Sequence, residues 1–149
     1  MIKGLLFDAD EVVTSWVFTT YNKVPFKVDR ALGVLEDGKL VGAALFSSYN
    51  TMNADLSYYG KNSITPGITK ALARIALYEL RLARCTVIVP KRPSYLVRKL
   101  GSGLFGFRYE GVQRRYYGPT NSDRHTGCRF VLFREDMEKL LNERTEKVA

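Results

Sequence analysis

The sequence predicts one α/β domain: a mixed, twisted sheet with a parallel pair of strands at its centre, flanked by helices. Three observations predict it. Two apolar runs meet at Asp37-Gly38, a dipeptide suited to the tight turn of an antiparallel hairpin. A third strand-like run, Ala54 to Tyr59, leads through Pro66 into an amphipathic helix. That helix runs directly into the β-branched stretch Cys85 to Val89. A hairpin followed by strand–helix–strand implies a mixed sheet with its parallel pair in the middle.

The elements follow in order. Asp10 to Phe18 reads as a short, weakly amphipathic helix, followed by a polar loop through Lys23-Val24-Pro25. Ala31 to Glu36 and Leu40 to Ser47 form the hairpin, and Tyr49 to Asn53 is a polar connection. Ala54 to Tyr59 alternates as a strand should and is ended by Gly60. Thr65 suits an N-cap and Pro66 the first helical position. Ile68, Leu72, Ile75 and Leu82 then trace one face of a helix from Ile68 to Leu82. Pro90 closes the next strand. Ser94 to Leu100 is a shorter helix, stopped by Gly101 and Gly103. Phe107 to Tyr117 and Cys128 to Phe133 read as strands around a polar loop, Gly118 to Gly127. Glu135 to Leu141 is a terminal helix with a charged, frayed tail.

Composition narrows the function classes. With 149 residues, 46% of them hydrophobic and 26% charged, the chain has material for one well-filled core. No stretch approaches the ~20 apolar residues of a membrane span. The N-terminal residues lack the pattern of a signal peptide, so a cytoplasmic location is expected. Cys85, Cys128 and the single histidine, His125, show no metal-ligand spacing, so buried thiols, an exposed loop histidine and no metal site are expected. The net charge of +8 would attract a polyphosphate cofactor, an acidic partner or nucleic acid. Nucleic acid has no accompanying recognition motif.

The chemistry is expected at the start of the long helix. A strand running into a helix leaves backbone N–H groups from Gly67 to Lys70 at a positive helix end, where phosphate binds without a dedicated side chain. Pro66 sacrifices no useful donor, Gly67 permits close approach, and Lys61 and Lys70 add charge. A plain capped helix between two strands would look the same.

Three stretches carry a family resemblance. They are Gly33-Val34-Leu35-Glu36-Asp37-Gly38-Lys39-Leu40-Val41-Gly42, Pro66-Gly67-Ile68-Thr69-Lys70-Ala71-Leu72 and Gly106-Phe107-Arg108-Tyr109-Glu110-Gly111. In their order and spacing, from about Ala31 to Phe133, the chain resembles the GCN5-related N-acetyltransferase (GNAT) superfamily. The run from Gly106 through Arg114-Arg115-Tyr116-Tyr117 is similar to enzymes that acetylate protein N-termini, and to small GNAT-like proteins of tailed phages. Gly67 matches the first glycine of the family's Gln/Arg-x-x-Gly-x-Gly/Ala signature. Ile64 stands at its Gln/Arg position and Thr69 at its second small residue. Lys91 or Arg92 replaces an asparagine ahead of the second helix, and Gly101 to Phe105 resembles an insertion.

The resemblance implies a single GNAT-like domain over residues 1–149 that moves an acyl group from acetyl-CoA, as co-substrate, to a primary amine, on a small molecule or a protein. It implies cofactor contacts at Leu56 and Tyr58 on the splayed strand and at Pro66, Gly67, Ile68, Thr69 and Lys70 at the helix start. Tyr95 would be the acid that protonates the departing thiolate and Glu36 the base, with Glu110, Tyr58 and Tyr59 as further options. Two other readings stay open. One is a GNAT-fold protein without catalysis, serving as an interaction or phage-particle component; the other is nucleic-acid binding on the same fold.

Overall fold

The computed structural model describes residues 3–60, 65–103 and 105–148, with the side chains of Lys3 and of 143–148 left out. Seven strands form one sheet. They are β1 (Lys3–Leu6), β2 (Arg30–Glu36), β3 (Lys39–Ser47), β4 (Asn53–Gly60), β5 (Arg84–Pro90), β6 (Arg108–Gln113) and β7 (Gly127–Phe133). The spatial order is β1-β2-β3-β4-β5-β7-β6, and β4 and β5 are the parallel pair. Four helices accompany them: α1 (Asp10–Thr20), α2 (Pro66–Arg74), α3 (Tyr95–Gly101) and α4 (Arg134–Val148).

The hairpin forms where Asp37-Gly38 places it. Both turn residues hold positive φ, +51° and +77°, which favours glycine at the second position. Strand β1 was not foreseen: Lys-Gly-Leu-Leu is too short to show alternation, and only its antiparallel pairing with β2 makes it a strand. Strand β6 ends at Gln113, short of the expected Tyr117, because the chain turns through Arg114 and Arg115, the latter at φ +61°.

Helix α2 starts as its cap signals dictate: the Thr65 hydroxyl accepts from the Ile68 N–H at 3.2 Å. Ile68, Leu72 and Ile75 are buried as their spacing predicts. Regular α-helix ends at Arg74, and Ile75–Glu79 widens into a π-turn in which the Leu80 N–H reaches the Ile75 carbonyl. Leu82 is buried beyond the helix, not on its last turn as expected. Arg134 seals that end by donating to the carbonyls of Arg81 and Leu82. Helix α4 continues past the expected Leu141 through Val148.

The two sheet faces bury different cores. The larger, containing Phe46, Leu56, Ile75, Val87, Phe130 and Leu132, packs against α2, α3 and α4. The smaller, Val13, Val17, Ala31, Ala43 and Leu45, lies under α1. Each strand at the centre of the sheet thus sends alternate side chains to differently furnished faces. Both cysteines are buried and free; burial pushes the Cys85 thiol up to about 12 and also raises that of Cys128.

Candidate active site

The parallel ladder between β4 and β5 is short. It pairs Asn53 with Arg84, Ala54 with Cys85, Asp55 with Thr86 and Leu56 with Val87, and there it stops. Beyond that rung β5 stays paired to β7 while Ser57–Gly60 of β4 stay paired to β3, so the strands part into a V. A cleft of about 400 Å³ occupies the opening and reaches both faces of the sheet.

Alternation gives the cleft two chemistries. On the helix side it is lined by Leu56, Tyr58, Leu72, Val87, Val89, Leu96, Leu100 and Phe107, an apolar wall. On the opposite side Lys23, Asp55, Ser57, Tyr59, Thr86, Tyr116 and Tyr117 make a polar, aromatic one. At the closed end of the V, Thr86 donates to the Asn53 side-chain oxygen at 2.7 Å, Asn53 Nδ2 donates to Asp55, and Arg84 Nε donates to Thr86. Tyr117 donates its hydroxyl to the Ile88 carbonyl at 3.0 Å, just past the last rung. Burial pushes the Tyr117 phenol well above its ordinary range, and burial raises Tyr59 too, so both are protonated at neutral pH.

The start of α2 lies beside the cleft, which Thr69 and Leu72 line. The expected row of free N–H groups is shorter than the sequence suggested. Thr65 takes the Ile68 N–H with its hydroxyl and the Thr69 N–H with its carbonyl, and Pro66 has none. Gly67 N–H is left without an intrahelical acceptor. Pro66 and Gly67 are exposed, Lys70 half-buried, Ile68 and Thr69 buried. A Cβ at Gly67 would meet only the Thr65 Oγ1, at 3.8 Å, so the space over this backbone is open. Lys61 and Ile64 lie outside the described residues.

The other candidates are scattered. Glu36 sits at the hairpin end, opposite Lys39 and two strands away from β4. Tyr95 opens α3 and is 42% exposed, while the residues α3 turns into the cleft are Leu96 and Leu100. Glu110 is forked onto Arg84 across β7, which holds its carboxyl below the usual range. His125 is half-buried, not an exposed loop residue. Its Nδ1 accepts the Thr120 N–H, and its ring packs over Gly118. Among the described residues no cluster of three His, Cys, Asp or Glu side chains is placed to hold a metal, and no helix is long and apolar enough to cross a membrane. Asp55 and Tyr117, which the sequence did not single out, also line the cleft. Period-2 alternation along Ala54-Asp55-Leu56-Ser57 could have marked Asp55; Tyr117 reaches the cleft only because the chain folds back after β6.

No protein-family model matches the chain, and no curated protein matches it in sequence. Solved structures do match in shape. Spermidine N-acetyltransferase from Vibrio cholerae in complex with CoA and spermine aligns over 91% of this chain and 98% of its own, with TM-score 0.66 and 12% identity. Ribosomal-protein-S5-alanine acetyltransferase from Vibrio fischeri aligns over 91% and 93%, with TM-score 0.62 and 14% identity. An acetyltransferase of the GNAT family from Streptococcus pneumoniae aligns over 89% and 99%, with TM-score 0.57 and 16% identity. The chain has the GNAT fold. At such identities the likeness is one of fold, and within the GNAT fold of this chain the cleft's own residues carry any chemical argument.

Proposed function

We propose that the protein is an acyl-CoA-dependent N-acyltransferase that moves an acetyl group from acetyl-CoA to a primary amine. The observation that carries this reading is the early end of the β4–β5 ladder, which opens a two-sided cleft beside the α2 N-terminus. The residues fit the co-substrate. The apolar wall of Leu56, Val87, Leu96 and Phe107 suits an aliphatic thioester arm, and strand β4 past Leu56 offers backbone groups that β5 no longer takes. Gly67 leaves room for a pyrophosphate at the positive end of α2, with Pro66, Ile68, Thr69 and Lys70 around it. Acetyl-CoA would supply the activated acyl group.

The polar wall suits the acceptor. Asp55 is the one carboxylate among the described residues that line the cleft, and in this reading it takes the proton of the attacking amine in place of Glu36. Tyr117, protonated and in the cleft, is better placed than Tyr95 to donate to the departing thiolate. A neighbour of this fold was captured with spermine, and another carries the name of a ribosomal-protein alanine acetyltransferase, so both small-molecule and protein amines are acceptors to test. The cytoplasm, where acetyl-CoA is available, is the proposed location.

A second reading is a GNAT-fold interaction protein or phage-particle component without catalysis. The shortened row of donors at α2 favours it. Thiol release from acetyl-CoA, followed with spermidine, free amino acids and an alanine-starting peptide, separates the two. The enzyme reading expects amine-dependent release that Asp55→Asn lowers by roughly 10²-fold or more; release that no amine stimulates favours the silent protein.

A further inference from the structure

We propose that Lys23 is an acyl acceptor in cis: with acetyl-CoA in the cleft, the chain acylates its own Lys23 side chain. This rests on the acyltransferase reading and adds to it a substrate that the protein itself carries. Lys23 lies in the loop after α1, where its N–H donates to the Phe18 carbonyl at 3.1 Å. Two residues earlier, the Tyr21 ring packs on Tyr59 with centroids 5.3 Å apart, tying the loop to β4. Lys23 then reaches the polar half of the cleft, with Nζ 5.8 Å from the Tyr59 ring centroid. Among the described residues that line the cleft it is the one lysine.

Two features make this amine a reactant and not a mere surface charge. Among the described residues Lys23 forms no ion pair, so losing its proton breaks none, whereas Lys91 is paired with Asp123. It is also tethered on the polar wall of the cleft, over Tyr59, and tethering replaces a bimolecular encounter by an intramolecular one. The aromatic surface of Tyr59 holds the ammonium form nearby without a carboxylate.

The step balances. The ammonium first loses a proton to solvent. Neutral Nζ attacks the thioester carbonyl carbon and forms the C–N bond. The C–S bond breaks, and its electron pair leaves with the thiolate. The surplus nitrogen proton ends on sulfur, giving free CoA and an amide at Lys23. The product is uncharged and remains at the cleft mouth, so the reaction stops after one acetyl group per chain.

The test incubates the full chain with isotope-labelled acetyl-CoA and maps every lysine by mass spectrometry, with acetyl-CoA affinity measured calorimetrically on the same sample. The expected result is label at Lys23 in at least ~10-fold excess over any other lysine, a modest share of what tethering allows. Lys23→Arg removes it, and Gly67→Glu removes it through loss of the co-substrate. Acetyl-CoA that binds while Lys23 is labelled no more than in the heat-unfolded chain overturns this inference and leaves the acyltransferase reading standing. Label at Lys23 that persists unchanged in Gly67→Glu is solution acylation and overturns it equally. Absence of acetyl-CoA binding overturns both.

Discussion

At Tyr117 a protonated phenol, a strand carbonyl and the cleft meet. Its hydroxyl donates to Ile88 just where β5 loses its parallel neighbour, so the same group satisfies that carbonyl and lines the cleft. Tyr117→Phe keeps the ring and loses one hydrogen bond, worth about 1 kcal/mol. Turnover should fall roughly 10²-fold or more with the fold intact. Tyr95→Phe should change it little, since Tyr95 is exposed while Leu96 and Leu100 face the cleft. Steady-state thiol release from both variants checks this; a large loss only in Tyr95→Phe restores the acid role to α3. The sequence marked Tyr95 through its position on a helix and could not mark Tyr117, which follows a turn whose direction no local pattern encodes. Glu36, two strands away from β4, is a related case. Hairpin signals locate a residue along the chain but not how many strands separate it from the cleft.

Elements were legible in proportion to their local punctuation. Thr65-Pro66 and Asp37-Gly38 placed a helix start and a turn because each residue has one backbone preference that suits the position. The end of α2 lacked such a mark. Just beyond its π-turn the carbonyls of Arg81 and Leu82 are capped from a distance by Arg134, 52 residues after Leu82. Strand β6 is held by a similar long-range device: Arg84 reaches over β7 and forks onto Glu110. That bond, chiefly, lowers the Glu110 carboxyl below its unfolded value. A depressed carboxyl contributes stability that is present above the ordinary carboxylate range and lost as the pH falls through its folded value. The pair is partly solvated, so about 1 kcal/mol is the scale. Glu110→Gln should melt about 2–4 °C below the parent at pH 7. The gap should close as the pH falls through the lowered Glu110 value in calorimetric scans; a gap that persists once the carboxyl is fully protonated would mean packing, not charge, holds the edge strand.

For the whole molecule, the order of the parallel pair in the sheet decides where a ligand can enter. Strands β4 and β5 are adjacent and joined by α2, as the strand–helix–strand reading required, and their early parting joins an apolar and a polar wall in one cleft. The net charge of +8 favours approach of a polyphosphate. The central claim is that acetyl-CoA binds there with its pyrophosphate over Gly67. Gly67→Glu isolates that claim, because an added Cβ meets nothing closer than Thr65 at 3.8 Å and the fold should tolerate it. Calorimetric titration of both proteins with acetyl-CoA is the direct measurement. The parent chain should bind acetyl-CoA with a dissociation constant within the range of about 1 μM to 1 mM that is typical of enzyme KM values. Gly67→Glu should lose at least tenfold, about 1.4 kcal/mol, with an unchanged melting temperature. No heat of binding at millimolar acetyl-CoA, or equal affinity in the two proteins, would contradict it.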